Sequence, residues 1–123
     1  ADGEIEVWAE DLTGLFVCAA RGMYFLAGVI LQPEPRFSRS LRLIAPDDED
    51  LLVSFLNELL FFWEQYNQAF DSFQLCLRDH RLQAEVWGAP IQTAVCQIKA
   101  VTYHRLAIAF QDGFYRTHLV FDL

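Results

Sequence analysis

The feature that most constrains how this chain can fold is an acidic run at residues 47–50 that leads directly into a largely apolar run at residues 51–63. The dipole of a helix favours carboxylates in its first turn, and Pro46 is tolerated near that turn. The apolar residues recur at helical spacing and then extend beyond a single stripe, which predicts a helix from Pro46 to about Gln65 that is buried on two sides. Its predicted core face is Leu52, Phe55, Leu56, Leu59 and Trp63, widened by Leu60, Phe61 and Phe62.

A metal site is the alternative interpretation of this acidic run. The run lacks the glycine and the distal glutamate that a calcium-binding loop requires. Helix capping is therefore the preferred interpretation.

A strand and a helix are predicted near the start of the chain. Polar and apolar residues alternate over residues 4–9, which is the period of a half-buried strand. Asp11 can cap the helix that follows. Gly14 and Gly22 weaken that helix by up to about 1 kcal/mol each relative to alanine, so it needs tertiary packing to persist. Its apolar stripe is Leu15, Phe16, Ala19, Met23 and Leu26.

The rest of the chain predicts strands. Pro33 and Pro35 mark a loop, after which residues 37–43 alternate as a second strand. Residues 73–77 and 82–86 predict a hairpin with a short turn between them. The predicted class is therefore α+β, with two helices packed on a mainly antiparallel β-sheet.

Another hairpin joins residues 106–111 to the segment that begins at Phe114. Its connection, Asp112-Gly113, is a dipeptide that tolerates the positive φ angles of tight hairpin turns. This is the clearest turn signal in the sequence.

Length and charge limit the functions that are open to the chain. Its 123 residues, of which 54% are hydrophobic, fit a single domain over residues 1–123. Seventeen acidic residues against nine basic ones leave a net charge of −8. This charge opposes phosphate neutralisation, so we predict no direct contact with nucleic acid. A partner with a basic surface, or a multivalent cation, fits the charge better.

The cysteines and the apolar segments indicate the compartment. Cys18, Cys76 and Cys96 are odd in number and widely spaced, which predicts buried, reduced thiols. The apolar run at residues 23–31 is too short to span a bilayer, and no segment has the features of a signal peptide. We therefore predict a cytoplasmic protein with no membrane partner.

Lys99 is the only lysine, beside eight arginines. An ammonium is a compact point charge, so one interpretation is a role that a guanidinium cannot fill. The alternative is chance, with Lys99 as a solvated lysine at a strand edge. If residues 98–104 form a strand, Lys99, Val101 and Tyr103 share one face and His104 lies on the other. If His104 has no functional role, it is expected to be an ordinary histidine at the end of a strand. His80 and His118 are expected to lie on the surface.

Several segments, taken in order, resemble the archease family, and the resemblance covers nearly the whole chain. They are Ala1-Asp2, Leu51-Leu52-Val53, Leu56-Asn57-Glu58-Leu59-Leu60, Val86-Trp87-Gly88, Lys99-Ala100-Val101-Thr102-Tyr103-His104 and Phe121-Asp122-Leu123. Family members carry a strand and a His-Thr pair before the Ala-Asp that Ala1-Asp2 matches. The resemblance therefore implies that the N-terminus of this chain is truncated.

The resemblance implies a protein that activates an RtcB-type RNA ligase and performs no covalent chemistry itself. Such a protein promotes guanylylation of the ligase and its multiple turnover in tRNA splicing or RNA repair. The catalytic residues then belong to the ligase, and the chain is not an enzyme. Lys99 and His104 are implied to serve ligase activation.

The resemblance also implies a metal site formed by Asp2, Asp122 and Leu123. Carboxylate and carbonyl oxygens suit calcium or another hard divalent cation such as magnesium. A last residue would add a free carboxylate to its carbonyl oxygen. Two distant parts of the chain would have to meet on adjacent strands.

One segment departs from the family. Between Gly88 and Lys99 the family usually has a longer loop with a histidine and an acidic residue, and neither is present here. The departure keeps open a diverged interaction module that has lost activation. A metal-dependent hydrolase that uses Asp2, Asp122 and His104 is another alternative, although the sequence lacks a nucleophile, base and orienting group in one set.

Overall fold

The computed structural model describes residues 2–123, in which two helices pack against two antiparallel four-stranded sheets. The helices are α1 (Leu12–Leu26) and α2 (Asp48–Tyr66). The strands are β1 (Asp2–Ala9), β2 (Ile30–Leu31), β3 (Phe37–Ile44), β4 (Gln68–Arg78), β5 (Arg81–Thr93), β6 (Ala100–Val101), β7 (Ala109–Gln111) and β8 (Phe114–Asp122). The predicted α+β class is confirmed.

The first sheet is organised around β8. Strand β1 pairs with it along its whole length, from Asp2 opposite Asp122 to Ala9 opposite Tyr115. The short strands β6 and β7 pair with the other side of β8. This sheet therefore joins the first described strand to the last one.

The second sheet is organised around β5, which pairs with β4 on one side and with β3 and β2 on the other. Gly88 lies where β4 bulges between Phe70 and Ser72. A Cβ at Gly88 would lie 1.8 Å from the carbonyl oxygen of Ala69, so only glycine permits this approach of the two backbones.

Both helices begin at predicted caps. The carboxylate of Asp11 accepts a hydrogen bond from the N–H of Gly14 at 2.6 Å, and that of Asp47 accepts one from the N–H of Asp50 at 2.8 Å. Pro46 lies just before the cap of α2 and not in its first turn. None of the helices in residues 2–123 is long and apolar enough to cross a membrane.

One core joins both helices and both sheets. All the residues predicted for the core face of α2 are buried. Leu60 is buried too, which confirms an apolar surface wider than one stripe, whereas Phe61 is 47% exposed and does not extend it.

The structure corrects three other expectations. Strand β2 was not predicted, because two residues are too few to show an alternating pattern. Strand β7 begins at Ala109 and not at Leu106. All three cysteines are free, as predicted, but none is fully buried: Cys76 is exposed on the solvent face of β4, and Cys18 and Cys96 are half-buried.

Candidate functional site

A pair of carboxylates lies at one end of the β1–β8 ladder. Asp2 is directly opposite Asp122, and both residues are exposed. Residues opposite each other in antiparallel strands project from the same face, with Cβ atoms about 5 Å apart. Like charges in this arrangement repel each other, so a bound cation would stabilise the pair. The predicted meeting of the two distant segments on adjacent strands is confirmed.

Leu123 continues β8 beyond this pair and is half-buried. A Cβ at Gly3 would lie 3.3 Å from its Cδ1 atom and 2.8 Å from Cδ2 of Leu26. The side chain of Leu123 therefore packs against β1 near the C-terminal end of α1. Its main-chain oxygens are the atoms available beside Asp122.

Asp2, Asp122 and main-chain oxygens of Leu123 are oxygen donors of the kind that hard divalent cations prefer. Within residues 2–123, no group of three or more His, Cys, Asp or Glu side chains is placed to hold a metal ion. A cation here would therefore rely on two carboxylates and on main-chain or water oxygens. The metal site remains a prediction.

Lys99 lies beside the paired carboxylates. Its N–H donates to the carbonyl oxygen of Asp122 at 2.8 Å, and its side chain is exposed. The pairing of Ala100 with Asp122 continues this attachment. The fold thus brings Asp2, Lys99 and Asp122 together at one end of one sheet.

His104 is not part of this group. Strand β6 ends at Val101, and the N–H of Thr102 donates to the carbonyl oxygen of Val120, so the chain runs away from the carboxylate pair. His104 then lies exposed in a turn in which the N–H of Leu106 donates to the carbonyl oxygen of Tyr103. Arg105, with a φ of 55°, allows this turn.

Of the strand expected over residues 98–104, only Ala100–Val101 forms, so the prediction is wrong at both ends. Val101 is buried in this strand, whereas Lys99 and Tyr103 lie outside it and are exposed, so the shared face expected for the three residues does not apply. A turn was not predicted because the segment contains no glycine or proline, and Arg105 is not a typical turn residue.

Side chains of helix α2 make hydrogen bonds to the segment that follows Lys99. The side-chain oxygen of Asn57 accepts from the N–H of Val101 at 3.1 Å. The Tyr103 hydroxyl donates to Asp50 at 2.6 Å, and the N–H of Ile108 donates to Glu49 at 3.1 Å. The bond to Asp50 raises the pKa of Tyr103 above its usual value near 10, so the phenol stays a neutral donor at physiological pH.

These contacts extend what the sequence indicated for the acidic run. Asp47 caps the helix as predicted, and the next three acidic residues bind other parts of the chain. Asp48 lies 3.0 Å from Nδ1 of His80 in the β4–β5 turn, which raises the pKa of that exposed histidine. The signal that was missed is that one helix cap needs only one carboxylate, whereas this run contains four acidic residues.

Two exposed apolar side chains lie at the C-terminal end of α1, where Leu26 contacts Gly3. Phe25 is 87% exposed and Val95 is 85% exposed. The N–H groups of Val95 and Cys96 both donate to the carbonyl oxygen of Ala27, which holds the segment before Lys99 against the helix. Gly28, with a φ of 64°, leaves room for Val95, since a Cβ there would lie 2.5 Å from its Cγ2 atom.

The defining pattern of the Archease protein family matches residues 1–123. The chain belongs to the archease family. A protein named archease from Methanosarcina mazei is 30% identical over 138 residues, which cover all of this chain and 90% of the relative. Another archease, from Thermococcus gammatolerans, is 27% identical over 132 residues, which cover all of this chain and 93% of the relative.

Solved archease structures show the same fold. The crystal structure of a Thermotoga maritima protein, described as an archease and possible chaperone, matches with a TM-score of 0.76 and 22% identity, over all of this chain and 91% of that one. The solution structure of protein 1598 from Methanobacterium thermoautotrophicum matches with a TM-score of 0.72 and 22% identity, over all of this chain and 93% of that one. The relatives carry the name of a protein and not of a reaction, in agreement with the prediction that this archease is not an enzyme.

Proposed function

We propose that this archease is a non-catalytic activator of an RtcB-type RNA ligase, and that the end of the molecule with Asp2, Lys99 and Asp122 acts on the ligase. The observation that carries the proposal is the register of the first sheet. It places Asp2 opposite Asp122 and ties Lys99 to the main chain of Asp122. Three of the residues that the family resemblance singles out separately thus lie at the same end of one sheet, on or beside three neighbouring strands.

A divalent cation, calcium or magnesium, is part of this proposal. Asp2, Asp122 and the main chain of Leu123 would hold it and so neutralise two carboxylates that otherwise face each other. A bound cation would also offer open coordination positions to an oxygen of the partner.

The ammonium of Lys99 is the group that we propose contacts the ligase, at a carboxylate or a nucleotide phosphate. A lysine ammonium reaches such an oxygen as a compact donor with three N–H groups. His104 would contribute from a separate place, since it lies in the turn beyond β6. This separation disfavours the hydrolase alternative, which needs His104 beside the two aspartates.

The partner is proposed to be a protein with a basic surface. The net charge of −8 favours association with such a surface and opposes direct contact with RNA. The exposed side chains of Phe25 and Val95 would add apolar contact area to such an interface.

Substitutions of Lys99 test the proposal. Turnover of the purified cognate ligase would be measured with wild type, Lys99→Ala and Lys99→Arg at matched folded concentrations. Each variant should change stability by no more than about 0.5 kcal/mol, because an exposed lysine contributes little packing. Stimulation should fall sharply, but not to zero, with alanine and be partly restored with arginine. Equal stimulation by all three would return Lys99 to an ordinary surface position.

A further inference from the structure

The short strand β6 makes hydrogen bonds on both of its sides, but only one of these sides pairs with another strand. On the β8 side, N–H groups of Lys99 and Thr102 donate to carbonyl oxygens of Asp122 and Val120. The N–H of Val101, between them, alternates to the opposite side. Since β6 is at the edge of its sheet, that N–H has no strand to pair with.

Asn57 supplies the missing partner. Its Oδ1 atom accepts from the N–H of Val101 at 3.1 Å, across 44 residues of sequence. Val101 itself is 4% exposed, so its N–H would otherwise be a buried donor without an acceptor. A side-chain amide suits this task because its carbonyl oxygen can accept a hydrogen bond from a main-chain N–H.

From this geometry we infer that Asn57 is a positioning residue for Lys99. It fixes the main chain of Val101 against α2, and so fixes where Lys99, two residues earlier, presents its ammonium. Asp50 and Glu49 hold the same segment farther along, at Tyr103 and Ile108. This inference rests on the proposed role of Lys99 in ligase activation.

Two variants of Asn57 separate positioning from general stability. Asn57→Leu removes the acceptor at similar size, whereas Asn57→Asp retains an acceptor oxygen. Gln65→Leu is the matched control, because it replaces an exposed amide on the same helix. Amide hydrogen exchange at Val101 should become faster in Asn57→Leu and remain unchanged in Gln65→Leu.

A double-mutant cycle with Lys99→Ala then tests whether Asn57 acts through the lysine. Asn57→Leu alone should lower ligase stimulation about tenfold, the loss expected when misplacement of Lys99 weakens its contact with the ligase by about 1.4 kcal/mol. Asn57→Asp should restore most of it. In the Lys99→Ala background, Asn57→Leu should cause no further loss.

Equal and independent losses in both backgrounds would overturn the inference, because they would show that Asn57 acts apart from Lys99. Full stimulation by Asn57→Leu, with faster exchange at Val101, would overturn it as well. If Lys99→Ala stimulates like wild type, the proposed role of the lysine fails and the positioning role fails with it. Hydrogen exchange distinguishes that case, since it reports on the contact without the ligase.

Discussion

At the scale of single residues, the proposed site consists of a few side chains that come from distant parts of the sequence. Asp2 and Asp122 face each other only because β1 pairs with β8 in one register. A shift of that register by one residue would move every side chain of β1 to the other face. The arrangement of the site is thus determined by the pairing of the whole ladder.

If the facing carboxylates bind calcium, calcium should raise the free energy of unfolding. At a hundredfold excess of calcium over its dissociation constant, binding should add about 2.7 kcal/mol to the free energy of unfolding. Asp122→Asn should abolish this gain. Glu6→Gln is the control, because Glu6 lies on β1, the strand of Asp2, but its carboxylate is 3.9 Å from the guanidinium of Arg116 and away from the pair. A melting temperature that calcium leaves unchanged would refute the site.

The contact between His80 and Asp48 should make stability depend on pH. The hydrogen bond to Asp48 raises the pKa of His80 above the ordinary value of about 6.5, and Asp48→Asn should return the pKa toward that value. The ion pair therefore contributes stability that is fully present below the unfolded pKa and is lost as pH rises through the raised pKa. An NMR titration of the imidazole measures this directly. An identical titration in Asp48→Asn would contradict the assignment.

The sequence alone identified several of these residues but not their contacts. The resemblance singled out Asp2, Lys99 and Asp122, and the structure brings them together. Asn57, Asp50 and Glu49 were seen only as parts of a helix, because a helical pattern shows which face is apolar but not which loop reaches the polar face. Their partners lie 44 to 59 residues away in the sequence.

At the scale of elements, α2 has two functions. Its apolar surface is buried in the core, and its polar N-terminal half holds the segment that follows Lys99. Both hairpins near the predicted turns form as expected, with positive φ angles at Asp79, His80, Asp112 and Gly113. Local turn chemistry and periodicity thus predicted most elements. The bounds of β6 could not be predicted, because its hydrogen-bond partners lie on β8 and α2.

The cap of α2 gives a stability prediction. Asp47→Ala should lower the free energy of unfolding by about 1 kcal/mol, because the N–H of Asp50 loses its acceptor. Glu64→Ala, at an exposed position of the same helix, should change it by no more than about 0.5 kcal/mol. Denaturant unfolding measures both. Equal effects would show that Asp47 is not the cap.

Two glycines offer a matched comparison. Gly88→Ala should destabilise by about 3 kcal/mol or more, because its Cβ would meet the backbone of Ala69. Gly22→Ala should be far milder, because its Cβ would meet only the end of the Ile5 side chain at 2.9 Å, and alanine gains about 1 kcal/mol of helix propensity. Thermal unfolding of the two variants compares them. A reversed order would contradict the packing described for β4 and β5.

At the scale of the whole molecule, one hydrophobic core joins both helices and both sheets, and the proposed site lies at one end of the first sheet. The end that we propose to be functional combines the two carboxylates, the sole lysine and the exposed side chains of Phe25 and Val95. The short segment between Gly88 and Lys99, where the family usually has a longer loop, is bonded to the end of α1. This end therefore has a defined shape even without the longer loop.

The most direct test of this account is multiple-turnover RNA joining by the cognate RtcB-type ligase. Joined product per ligase molecule would be measured with substoichiometric archease, with ligase alone and with archease alone. We expect the archease to raise turnover of the ligase well beyond one product per enzyme, and to neither join RNA nor release phosphate by itself. Unchanged ligase turnover in the presence of the folded protein, or phosphate release by the archease alone, would contradict the proposed function.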